Sequence, residues 1–120
     1  MPRLSAQDKI ELLKKARAAA QAVKEEIERQ NQNEIDPDAV AQREPALQRA
    51  IIEIQDADEK VDDLEASQLS VQVDDSDLDR LTRLAADLDA KIASNALLNL
   101  GVESLTTVLN GVANVKSALG

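Results

Sequence analysis

Asp75, Asp77 and Asp79 open the segment Asp-Ser-Asp-Leu-Asp at the alternate spacing with which an EF-hand calcium loop begins. Such a loop also needs a glycine at its sixth position for a sharp turn and a bidentate glutamate at its twelfth. Here those positions hold Arg80 and Ala86. The spacing therefore reads as carboxylates gathered at a helix N-terminus, where the helix dipole favours negative charge. A second acidic group, Asp56, Asp58, Glu59, Asp62, Asp63 and Glu65, recurs at helical spacing as carboxylate ligands in a di-iron bundle do. Those sites also take inward-facing Glu-x-x-His pairs, and this chain has no histidine. With Val61 and Leu64 on the apolar stripe, the acids are expected to face water. Lys14, Lys15 and Arg17 form a small basic patch beside Glu11, with no aromatic ring on which a base could stack. The patch is expected to dock on acidic parts of the chain or to stay solvated.

The missing residue types narrow the chemistry further. Phe, Trp, Tyr, His and Cys are all absent, and they supply most pocket walls, proton shuttles, metal ligands and thiol nucleophiles. Three isolated glycines make no phosphate cradle, and no serine has a histidine to activate it. No catalytic, cofactor-binding or metal-ligating residue is assigned. The expectation is a protein that is not an enzyme, uses no cofactor and has no small-molecule substrate.

At 120 residues, 43% hydrophobic and 31% charged, the chain is apolar enough to fold and long enough for a single helical domain over residues 1–120. Its core must be built from Leu, Ile, Val and Ala, whose modest size suits close helix-on-helix packing. The net charge of −9 is uneven: residues 1–33 hold seven basic and five acidic side chains, residues 34–90 five and seventeen, and residues 91–120 two and one. The acidic middle repels nucleic acid and attracts the slightly basic first segment. Without a signal-like apolar stretch at Met1–Lys9, the expected setting is the cytoplasm, or an assembled particle or export without a cleaved signal.

Apolar spacing predicts an all-α fold: an antiparallel three- or four-helix bundle with heptad, coiled-coil-like packing. The helices are expected at about 5–31, 37–43, 45–67, 76–99 and 102–119, the last two either separate or continuous. Ser5 with Asp8 makes a capping-box start, and the first stripe is Leu13, Ala16, Ala20, Val23 and Ile27. Asp36-Pro37 starts the next helix, and Pro45 is expected to bend the chain near Glu44. Leu47, Ala50, Ile54, Ala57, Val61 and Leu64 then keep three-four spacing, widened by Ile51. Residues 67–75 are expected to be an extended linker that buries Leu69, Val71 and Val73, having no second strand to pair with. Ser76 with Asp79 repeats the capping spacing ahead of the stripe Leu78, Leu81, Ala85, Leu88 and Ile92. The stripe is expected to run on through Asn95, Leu98, Val102, Leu105, Leu109, Val112, Lys116 and Leu119, and Gly101 decides between one rod and two helices.

Between Lys91 and Lys116 the only charge is Glu103. Leu97, Leu100, Val108 and Val115 lie off the main stripe, so this segment is apolar on several sides and needs neighbours on several sides. The interaction residues assigned on that basis are Leu98, Val102, Leu105, Val108, Leu109, Val112, Val115 and Leu119, with Asn95 as a buried register device. The composition is loosely similar to that of filament subunits of the flagellin or secretion-needle kind, which also place apolar, Asn-containing heptads at a terminus; no motif carries the likeness further. The functional expectation is a non-catalytic structural or interaction bundle that self-associates, or binds another helical protein, through its charge-poor C-terminal helix. The alternatives are a small acidic adaptor or regulator that binds one basic protein, and a membrane-active protein that inserts its C-terminal segment. Asn95, Asn99, Glu103, Asn110 and Asn114 oppose insertion.

Overall fold

The computed structural model describes residues 3–67, 71–72, 75–93 and 97–119. Helix α1 (Ala6–Gln32) starts at the capping box: the Asp8 N–H donates to Ser5 Oγ and the Ser5 N–H donates back to Asp8 Oδ2, both at 3.1 Å. Its whole stripe from Leu13 to Ile27 is buried. Helix α2 (Pro37–Ser67) begins behind Asp36, whose Oδ1 accepts the Asp38 N–H at 3.0 Å, with proline at the first helical position, where an N–H would have no intrahelical acceptor.

The expected division at Glu44 does not occur, and α2 runs unbroken through Pro45. Pro45 and Ala41, whose carbonyl loses its donor, are both exposed. Water can serve that carbonyl and the ring meets no packed neighbour, so the cost falls where it is smallest.

Helix α3 (Asp75–Ala93) stops earlier than the expected residue 99, and α4 (Val102–Leu119) follows after a break. Leu97–Asn99 form a turn in which the Leu100 N–H donates to the Leu97 carbonyl at 3.2 Å. Asn99 takes the left-handed conformation, φ 64°, which asparagine tolerates better than most residues. Gly101 caps α4, its carbonyl accepting the Leu105 N–H at 3.0 Å. The break therefore rests on Asn99 rather than on any special backbone at Gly101.

The linker reading needs a correction as well. Strand β2 (Val71–Gln72) pairs antiparallel with β1 (Arg3–Leu4), Arg3 opposite Gln72 and Leu4 opposite Val71, so the expected lack of a partner strand does not hold. Leu69 and Val73 lie outside the described residues.

The protein is an all-α four-helix bundle, with this short strand pair at one end. α1 and α3 run one way, α2 and α4 the other, as the cross-links Arg17 to Asp58, Lys15 to Asp89 and Gln30 to Leu100 show. Among the described residues α2 and α3 do not touch, whereas α1 and α4 each touch all three other helices. The spatial order is thus α1, α2, α4, α3, with α1 and α4 pressed together across the short diagonal. The chain crosses one end of the bundle between α2 and α3, and there β2 meets β1. The other end, called distal below, carries the α1–α2 and α3–α4 turns. The molecule measures 53 × 26 × 19 Å.

One apolar core joins all four helices through Ala20 and Val23, Ala50 and Ile54, Leu81 and Leu88, and Leu105, Leu109 and Val112. Each buried Leu or Val contributes about 1.5–3 kcal/mol. Small residues on α1 let the neighbouring backbones come close, so added volume there is expected to hurt. Ala20→Leu should cost about 1–3 kcal/mol in urea unfolding followed by circular dichroism, whereas Ala18→Leu, on the exposed side, should stay within about 0.5 kcal/mol of the parent.

Candidate functional site

The eight residues assigned to partner contacts divide by position. Leu105, Val108, Leu109, Val112 and Val115 are buried in the chain's own core, where α1, α2 and α3 surround α4. Val102 and Leu119 are half-buried and pack against that core. Leu98, 54% exposed, is open to solvent. Asn95, the expected register residue, lies outside the described residues. Most of the apolar surface of the C-terminal helix is thus already covered within one copy.

The distal end is held by a polar clamp centred on Glu26, a buried carboxylate at 7% exposure. Arg29, one helical turn on, donates from Nε to Glu26 Oε1 at 2.8 Å and from Nη2 to Oε2 at 2.7 Å. Gln30 Nε2 donates to the same Oε2 at 2.6 Å, and the Asn99 backbone N–H adds a bond at 3.1 Å. Arg29 Nη2 also donates to Asn99 Oδ1 at 2.7 Å, and Gln30 Nε2 to the Leu100 carbonyl at 2.9 Å. Three side chains from adjacent turns of α1, Glu26 and its i+3 and i+4 neighbours Arg29 and Gln30, thereby fix the left-handed residue that reverses the chain. The Arg29 hydrogen bonds hold the Glu26 carboxyl down to about 2, against burial, which favours the neutral acid; Gln30 and the Asn99 N–H assist. Beside the clamp, Arg43 ties the α1–α2 turn by donating to Asn31 Oδ1 at 3.1 Å and Glu34 Oε1 at 3.0 Å.

A second charged group joins α2 to α4. Lys116, the basic residue in the α4 stripe, is buried and makes ion pairs with Glu53 and Asp56, donating a hydrogen bond to Asp56. Burial works against the ammonium, yet the hydrogen bonds and charges of the two acids outweigh it and raise its pKa. The hydrogen bond from Lys116 in turn lowers that of Asp56. This corrects the reading that all the α2 acids face outward: Asp56 turns to Lys116, while Asp58 is taken by Arg17 at 2.6 Å. Lys15 of the basic patch reaches Asp89 at 3.4 Å. Glu26 and Glu53 were not foreseen as buried acids, although Lys116 inside an apolar stripe signals that a carboxylate must meet it.

The clefts are open grooves between helices. One, about 420 Å³ between α1 and α3, is lined by Leu12, Leu78, Ala85 and Ala86 and by the Lys15–Asp89 pair. Among the described residues no three potential metal ligands gather, and no helix is long and apolar enough to cross a membrane. Among the described residues, the large apolar side chains left open to solvent are Ile35, Ile52 and Leu98.

Two outcomes check these clusters. Because the Glu26 pKa lies below its ordinary value, its stabilisation is complete above about pH 4.5 and is lost as the pH falls toward 2. Glu26→Gln should lower stability at pH 7 by roughly 1–3 kcal/mol and flatten the acid limb of the stability profile over that window. Lys116→Met should cost about 3–5 kcal/mol by stranding Glu53, while Lys116→Met with Glu53→Leu should recover most of the loss in urea unfolding. No protein-family model, no curated protein and no solved structure matches this chain.

Proposed function

We propose that this protein is a non-catalytic helical bundle that works by packing against other helices, a second copy of itself included, through the end of the bundle where its charge-poor C-terminal helix begins. The observation that carries the reading is the position of two exposed apolar side chains. Ile35, 96% exposed, sits on the α1–α2 turn, and Leu98, 54% exposed, on the α3–α4 turn. Both turns lie at the distal end, and the Glu26 and Arg43 networks hold them in place. Large aliphatic groups raised on a rigid polar frame lose little conformational freedom when a partner covers them.

A second reading, an acidic adaptor for one basic protein, draws support from a different face. Ile52 is 60% exposed on the outer side of α2, in line with Gln48, Gln55 and Glu59 and followed by Asp62 and Asp63. A basic amphipathic helix would match that strip in charge, and its binding would weaken steeply with salt.

Sedimentation of the full chain over a range of concentrations separates the two. Self-association should raise the average mass from 13.0 kDa toward twice that value, and Ile35→Ser with Leu98→Ser should hold the chain at the monomer mass. A parent protein that stays monomeric throughout would remove the first reading.

A further inference from the structure

We infer that the crossover end of the bundle holds a binding site for a short aliphatic carboxylate, seated between Lys9 of α1 and Lys60 of α2. The site goes beyond the packing role proposed above and lies at the opposite end of the molecule from Ile35 and Leu98.

Lys9 is the first ground. The charged side chains buried among the described residues are Lys9, Glu26, Glu53 and Lys116. Glu26 meets Arg29, and Glu53 meets Lys116. Lys9, only 8% exposed, makes neither an ion pair nor a side-chain hydrogen bond with any described residue. Covering a charge without a counter-charge is costly, and acids are plentiful in a chain with twenty-three of them against fourteen bases. Arg17, further along α1, meets Asp58 of α2 across the same helix pair. The Lys9 ammonium is not sealed in. Among the described residues the enclosed side-chain polar atom without a hydrogen bond is Glu53 Oε2, so Lys9 Nζ keeps a way to solvent while its stem is covered.

The second ground is the cleft that Lys9 opens on. It measures about 160 Å³, lies where α1, α2 and α4 meet, and is lined by Lys9, Leu13, Lys60, Asp63, Leu64 and Leu119. Lys60 likewise makes no ion pair with a described residue. Asp56, whose carboxyl feels the Lys60 charge, is engaged by Lys116. Two ammonium groups therefore share the cleft with one carboxylate, Asp63, which leaves a net positive charge in a chain whose total is −9. The rest of the lining is apolar. Leu13 belongs with Ile10 and Val61 to the small core cluster at this end, and Leu64 and Leu119 pack against it.

Each part of the cleft selects its ligand. A carboxylate offers two anionic oxygens, one to each ammonium, in charge-assisted hydrogen bonds. A short aliphatic tail laid on the leucines is removed from water. At roughly 30 Å³ of liquid volume per water, the space equals about five waters, which limits the ligand to about four to six non-hydrogen atoms. Inorganic phosphate fits less well: it has nothing to lay on the leucines, and Asp63 opposes any second negative charge.

Butyrate is the probe. The full chain, isotope-labelled, is followed by NMR while sodium butyrate replaces sodium chloride at constant ionic strength. Saturable shifts centred on Leu13, Leu64 and Leu119 are expected, with a Kd of roughly 1–10 mM for so small a ligand. Lys9→Met should weaken binding by at least about 10-fold and Lys60→Met by about 3-fold or more, whereas Asp63→Asn should tighten it by about 3-fold by removing the opposing charge. Lys9→Met strands no acid, so without ligand it should resist urea at least as well as the parent, in contrast to Lys116→Met. Shifts that stay linear up to about 100 mM, or tighter binding of inorganic phosphate than of butyrate, would overturn the site. An unchanged Kd in Asp63→Asn would do so even if Lys9→Met failed to fold.

Discussion

A helix with almost no charge has to be surrounded, and the rest of the bundle follows from how α4 meets that demand. Its eighteen residues carry only Glu103 and Lys116 as charges, too few to keep several apolar sides wet. It therefore occupies the short diagonal opposite α1 and touches every other helix, while α2 and α3 are pushed apart to flank the pair. Covering α4 in this way places the crossover at one end, where β1 and β2 pair, and both hairpin turns at the other. The lack of aromatic rings works in the same direction. A core of Ala, Val, Leu and Ile cannot fill a wide interior, so α1 and α4 close upon each other.

Polar groups have a different task in this molecule from the one that their spacing first suggests. Glu26 and Glu53 are acids drawn out of water, and each is met by a cation: Arg29 from one turn along α1, Lys116 from across the bundle. Such groups contribute little net stability beside well-packed apolar side chains, but they penalise any arrangement that leaves them unpaired. The first holds the reversal at Asn99 in place; the second aligns α4 along α2. Both specify how α4 is seated more than how tightly it is held.

That distinction bears on what the distal end can do. Its backbone is tied down by hydrogen bonds, yet Ile35 and Leu98 stand out from it into water. A stable complex of the ordinary kind covers roughly 800 Å² on each partner, so these two side chains would form only the apolar centre of such a surface.

Local periodicity by itself determined the helical class, the stripe from Leu13 to Ile27, the stripes on α2 and α3, and the capping box at Ser5, since these depend on residues three or four apart and a helix brings such residues together wherever it forms. Three matters were decided only by the tertiary structure. Pro45 was tolerated because it faces water, and β2 found its partner because the crossover passes the start of α1. The third was the fold-back at Asn99 instead of a continuous rod. Its hydrogen bonds come from Glu26, Arg29 and Gln30, some seventy residues earlier. No short-range pattern records which distant groups will meet a turn, or that the neighbours sought by the C-terminal helix stand first within its own chain.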